Sequence, residues 1–201
     1  MRLALLGPCD GNVAALARAA RTALVTLNAD RVVYLGTDDA LDAVAFGWAE
    51  LLGVLDPLEE RLPELIDADA ETLQHAVDDE RARLRLSALH ALAGPGLRTV
   101  EILHDRLVLI ADDKSGLDEE DLLPASFIVF GRGEPIVRRV GSRVFLCPGS
   151  PARPNEGIVV LDEGESAGAV LATIHDADGA VVQREILDTT KSVKIKVQGA
   201  G

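Results

Sequence analysis

The feature that most limits the fold is the order of the opening segments: a short apolar run ended by glycine, a long amphipathic stretch, then a second apolar run ended by glycine and another helical stretch. Leu3, Ala4, Leu5 and Leu6 run into Gly7-Pro8, and Gly11-Asn12 then opens an Ala-, Leu- and Arg-rich stretch over residues 13–27. There Val13, Leu16, Ala20, Ala23, Leu24 and Leu27 recur at three- and four-residue steps, which sets them on one face of a helix. Residues 31–35 form the next apolar run, β-branched and ended by Gly36. Thr37-Asp38-Asp39 can cap a helix over residues 40–52. This β-α-β-α order predicts a parallel sheet.

Farther on the pattern changes. Residues 71–93 predict one long helix, ended by Gly94-Pro95-Gly96. Residues 99–103 and 106–111, joined by His104-Asp105, predict a hairpin, as do residues 136–140 and 143–147, joined by Gly141-Ser142. Residues 126–130 are a continuous apolar run closed by Gly131, and residues 158–161, 169–175 and 180–187 supply further strands. Aromatics make up only 3% of a chain that is 48% hydrophobic, so Leu, Val, Ile and Ala must build the core. Such residues suit parallel strands packed under helices. The expectation is an α/β fold (an α+β sandwich) in which two packed sheets are flanked by helices as four layers, α/β/β/α. Residues 1–190 form a single domain in this reading, and residues 191–201 are a C-terminal tail or an edge strand.

The 201-residue chain carries a net charge of −13, which argues against nucleic acid or an anionic membrane as a partner of the whole surface. No apolar run reaches the roughly 18 residues of a membrane-spanning helix. The first residues read as a strand and not as a signal peptide. With two cysteines and no export signal, the expected compartment is the cytoplasm, without a structural disulfide. Cys9 and Cys147 are expected to be buried thiols. Of the four histidines, His75 and His90 fall in the predicted long helix, His104 in a turn and His175 late in a strand.

Four strand-end fragments then stand in order: Pro8-Cys9-Asp10-Gly11-Asn12, Leu35-Gly36-Thr37, Gly131-Arg132-Gly133-Glu134, and Cys147-Pro148-Gly149-Ser150 followed by Arg153-Pro154. Together they resemble the calcineurin-like metallophosphoesterases, in particular the compact bacterial and archaeal phosphodiesterases. In that family the fragments read Asp-x-His-Gly-Asn, Leu-Gly-Asp, Gly-His-Thr-His, and Asn-Pro-Gly-Ser with a Pro-Arg pair. The family holds two divalent metals that polarise a phosphate and activate a bridging water.

By this resemblance Pro8 and Asp10 stand where the first Asp and His ligands belong, and Thr37 where the bridging Asp belongs. Arg132 and Glu134 replace two late histidines. The family's Gly-Asn-His/Cys-Asp loop has no counterpart between Glu50 and Thr99, and its later His-Gly matches Ala111-Asp112 or Asp112-Asp113. The resemblance thus implies a degenerate member: a catalytically inactive protein-interaction or ligand-binding scaffold with no expected metal or other cofactor. Its partner would be an unidentified protein, and a homo-oligomer is compatible. The insert over residues 55–93 is a candidate contact region. Asn12, Arg132 and Arg153 are the expected ligand-binding residues, with Arg138 and Arg139 able to join them around an anion, and Arg132 is expected to bond Asp10 or Asp112. The alternative is a phosphodiesterase or phosphatase with a single-metal or oxygen-only site. Asp10, Asn12, Asp38, Asp112 and Glu134 would then hold one Mg²⁺ or Mn²⁺ or orient water.

Overall fold

The computed structural model describes residues 1–53, 56–164 and 169–188. Its first half contains β1 (Arg2–Leu6), α1 (Val13–Arg21), a π-helical turn (Thr22–Thr26), β2 (Arg31–Tyr34), α2 (Ala40–Leu52), α3 (Leu58–Leu65), α4 (Ala70–Leu86) and β3 (Leu89–Ala91). The second half contains β4 (Arg98–Leu103), β5 (Arg106–Ala111), α5 (Glu119–Leu122), β6 (Phe127–Phe130), β7 (Ile136–Val140), β8 (Arg143–Cys147), β9 (Gly157–Glu163), β10 (Ala169–Asp176) and β11 (Val181–Asp188).

These strands make two mixed sheets. One has the order β11-β10-β9-β1-β2-β3, the other β4-β5-β6-β8-β7. The β1, β2 and β3 strands are mutually parallel, as the helical crossovers require, while β9 runs antiparallel to β1. In the second sheet β5, β6 and β8 are parallel and lie between antiparallel outer strands.

Period-2 alternation explains how one set of strands serves two cores. Leu3, Leu5 and Val33 face Ile110, Phe127, Val129 and Leu146 between the sheets. Ala4, Leu6, Val32 and Tyr34 point the other way, under Leu16, Ala20, Leu24 and Leu41 of the first helical layer. Each fully buried Leu or Ile contributes about 1.5–3 kcal/mol. The opposite outer face is covered more thinly, by Leu117 and by Leu122 of α5 packed against Leu109 and Ile128. The result is the expected α/β architecture of two sheets flanked by helices.

Two helix boundaries differ from the sequence pattern. The helix expected over residues 71–93 ends at Leu86, where the Ser87 hydroxyl donates to Leu84 O at 2.6 Å. Ala88 O then accepts from Val32 N–H at 2.9 Å, and β3 joins the free edge of β2. His90 is therefore a strand residue. The sheet edge offers backbone partners that helix propensity does not weigh. The helix expected over residues 13–27 turns π-helical after Arg21, with Leu27 N–H donating to Thr22 O at 2.9 Å. Both expected hairpins are present. The reading of residues 191–201 as a tail or edge strand lies outside the described residues. Among the described residues, no helix is long and apolar enough to cross a membrane.

Candidate functional site

The loops after β1, β2, β5, β6 and β8 converge at one edge of the sandwich, the place where open α/β folds bind ligands. Gly7 makes the convergence possible. A Cβ at Gly7 would lie 1.5 Å from Gly149 O, so the loops after β1 and β8 touch backbone to backbone. Gly7 N–H donates to Gly157 O at 3.0 Å and Gly157 N–H to Pro148 O at 2.7 Å.

The loop after β1 turns sharply at Asp10, whose φ is 51° in the left-handed region that Asp tolerates better than most residues. Asn12 N–H then donates to Cys9 O at 2.9 Å, and Asn12 Oδ1 accepts from Ala15 N–H at 3.1 Å, which caps α1. Beneath this turn the Tyr34 hydroxyl accepts from Cys9 N–H at 3.2 Å and donates to Cys9 Sγ at 3.3 Å. Burial pushes the Tyr34 phenol well above its ordinary value, so it stays a donor there.

Two adjoining cavities result, sharing Pro8, Asp10 and Arg132. The larger, 330 Å³, also takes Thr37 and Asp38 from the loop after β2 and Asp112 from the end of β5. Its lining is formally negative, three carboxylates against one guanidinium. The smaller, 140 Å³, adds Ser150 and Arg153 among glycines of the loops after β6 and β8.

Of the residues expected from sequence, Asp10, Asp38, Asp112 and Arg132 are brought together, and Arg153 joins Asp10 and Arg132 next door. Asn12, Glu134, Arg138 and Arg139 line neither cavity. Two of the carboxylates already serve the backbone. Asp38 Oδ1 accepts from Ala40 N–H at 3.3 Å, and the buried Asp112 accepts from Gly96 N–H at 3.3 Å. Thr37 and Pro8 line the larger cavity where the resemblance matches acidic ligands. β3 runs into Leu92-Ala93-Gly94-Pro95-Gly96, none of which has a ligating side chain.

The expected pairing of Arg132 is not formed: among the described residues no ion pair links it to Asp10 or Asp112. Its charge is felt instead by Asp113, whose carboxyl is held below its ordinary value first by the Ser115 N–H at 2.9 Å, with Arg132 a lesser cause. The guanidinium that faces Asp10 belongs to Arg153. Its Nη2 lies 3.8 Å from Asp10 Oδ2 and its Nε 3.7 Å from Glu156 Oε1. Glu156 is buried, and sequence reasoning missed it. The available signal was a lone acid between the conformationally special Gly149 and Gly157. Cys9 and Cys147 are free, buried thiols, and burial, with Glu156 adding to it, pushes the Cys147 thiol up.

These residues do not fit a two-metal centre. Such a centre needs a near-complete nitrogen and oxygen shell, whereas the larger cavity is lined by Thr37, Pro8 and Arg132 beside its three carboxylates and by no histidine. Among the described residues, no three His, Cys, Asp or Glu side chains group as a metal site.

No protein-family model matches the sequence, and no curated protein matches it. Solved structures do match in fold. One is a conserved uncharacterised protein from Streptococcus pneumoniae, described as a predicted phosphoesterase, at 13% identity and a TM-score of 0.50, covering 93% of this chain and 98% of the other. Another is an archaeal phosphodiesterase at 11% identity and a TM-score of 0.44, covering 93% and 100%. The chain shares with the pneumococcal protein a phosphoesterase-like fold of two mixed sheets between helices.

Proposed function

We propose that this chain is a phosphoesterase-fold protein without two-metal chemistry, and that it works as a protein-interaction or ligand-binding scaffold. One observation carries the reading: the strand-end loops pack backbone to backbone, while the side chains they present are Pro8, Thr37 and Arg132 around three carboxylates. A guanidinium beside the carboxylates repels a second cation and replaces the charge a metal would bring. The protein's role then rests on its surfaces, with another protein as partner and the cytoplasm as the expected compartment.

The competing reading is a single hard ion held by oxygen. The shared placement of Asp10, Asp38 and Asp112 in one cavity favours it. One experiment separates the two. Metal content of the purified chain is measured, and a chromogenic phosphodiester is assayed across Mg²⁺, Mn²⁺, Ni²⁺ and Zn²⁺. The scaffold reading expects substoichiometric metal and no turnover above that of Asp10→Ala. Metal-dependent turnover that Asp10→Ala abolishes overturns it.

A further inference from the structure

The helical layer carries an apolar groove at the end opposite the strand-end cavities. α1 starts beside the cavities at Asn12 and α2 just after Asp38, so the far end of α2, and of α1 continued by the π-helical turn, lies about 20 Å away along the helices. There the π-helical turn, the end of α2 and the end of α4 enclose 360 Å³. Val25, Trp48, Leu51, Leu52 and Leu86 supply its apolar lining.

Two features of this groove are unusual for a solvated helical surface. First, apolar side chains are turned outward: Val25 is 69% exposed on the π-helical turn and Leu51 is 84% exposed on α2. π-helical turns inserted in α-helices recur at functional sites. Second, the charged residues lining the groove are Arg21 and Arg85, both cationic, in a chain of net charge −13. Arg85 donates to neutral acceptors, Leu24 O at 2.6 Å and Asn28 Oδ1 at 2.7 Å, so its charge is held in place and not offset. Among the described residues no ion pair offsets Arg21.

We propose that this groove seats an amphipathic helix of a partner protein whose apolar face is flanked by acidic residues. Three helical walls around an apolar trough suit a helix laid between them, anchored by residues one and two turns apart. The arginines select acidic flanks, against the chain's overall charge, which would favour a basic peptide. Because the groove is a helix length from the strand-end cavities, the proposal stands whether or not those cavities bind metal.

The test titrates the 201-residue chain into two labelled helical peptides of about 16 residues. Both carry the same leucine face, flanked by Glu in one and by Lys in the other. The expected result is a Kd of about 10–100 µM for the Glu peptide, at least roughly tenfold tighter than for the Lys peptide. Leu51→Asp and Arg21→Glu should each weaken the Glu peptide by about tenfold. Both residues are exposed, and far-UV circular dichroism verifies the fold of each variant. Three outcomes overturn the proposal. One is equal or stronger binding of the Lys peptide. Another is no saturable binding of either peptide while laurate displaces an apolar dye from the groove. The third is a dimer in sedimentation that Leu51→Asp dissociates, which would make a second copy the occupant.

Discussion

The Asp10–Arg153–Glu156 link permits a quantitative test of how the site is held together. Arg153→Met removes the cation and keeps most of the aliphatic stem. Its partner Glu156 is 7% exposed at the side chain, and Glu156 Oε1 is a buried oxygen without a hydrogen bond among the described residues. At 3.7 Å the gross attraction is about 4 kcal/mol for an effective dielectric near 20. The Arg153 side chain is 60% exposed, so solvent screening reduces the net coupling to about 1 kcal/mol. The single substitution also strands Glu156 without its cation and should cost about 2 kcal/mol in total. With a urea m-value of about 2 kcal/mol/M, the midpoint should fall by about 1 M. The assay is a double-mutant cycle of Arg153→Met, Glu156→Gln and the pair, followed by urea unfolding. The pair should recover about 1 kcal/mol relative to the sum of the singles. A parallel cycle with Asp10→Asn should show less than about 0.5 kcal/mol, because the Asp10 side chain is 58% exposed. A coupling between Arg153 and Glu156 below about 0.3 kcal/mol would refute the idea that Glu156 is what fixes Arg153.

Other expectations follow from single contacts. Gly7→Ala places a Cβ against Gly149 O and should cost at least about 3 kcal/mol, or prevent soluble expression, as read from urea midpoints. Tyr34→Phe removes the acceptor of Cys9 N–H inside the core and should cost about 1–3 kcal/mol by the same measurement. Burial holds His90 below its ordinary value of 6.5, with Arg31 adding to this and Glu101 opposing. The unfolded chain therefore takes up a proton that the folded chain resists. Stability should fall as pH drops through 6.5 and stop falling below the depressed folded value. His90→Gln should flatten that part of the stability–pH curve, and an unchanged slope would contradict it.

How much of this was legible depends on whether the signal is local. The hairpins were readable because alternation and turn residues sit side by side, as at His104-Asp105, where His104 takes φ 53°. The opening βαβ units were readable because glycines close each apolar run. β3 was not, because Leu89-His90-Ala91 continues the helical pattern of α4 and becomes a strand only where β2 offers an edge. α3 was not, because Pro63 reads as a breaker although it lies inside the helix. At the site, an arginine beside the acids was legible, but the pairing expected of Arg132 falls to Arg153. Arg132 and Arg153 are equivalent in a linear reading. Only the fold decides that Arg153, set beside buried Glu156, lies against Asp10, while Arg132 lines both cavities without an ion pair to Asp10 or Asp112 among the described residues.

The packing also shows what holds the strand-end loops in place. The loop after β1 is held by Gly7 N–H to Gly157 O, by Asn12 N–H to Cys9 O, and from below by the Tyr34 hydroxyl on Cys9. The loop after β6 is held by the Gly131 and Arg132 N–H groups, both on Asp112 O at 3.0 Å. The loop after β8 is held by Gly157 N–H on Pro148 O and by contact with Gly7. Every one of these restraints uses main chain, buried core or a helix cap, and none uses the side chains at the positions matched to metal ligands. Apart from Asp38 and Asp112, which accept from backbone N–H groups, the polar side chains lining the larger cavity are thus separable from the stability of the scaffold. Substituting Asp10 by Asn, which tolerates the same left-handed φ, or Thr37 or Arg132 by Ala should leave the urea midpoint almost unchanged while altering whatever the cavities bind. A loss above about 1.5 kcal/mol in Thr37→Ala or Arg132→Ala would show instead that the rim residues have become structural.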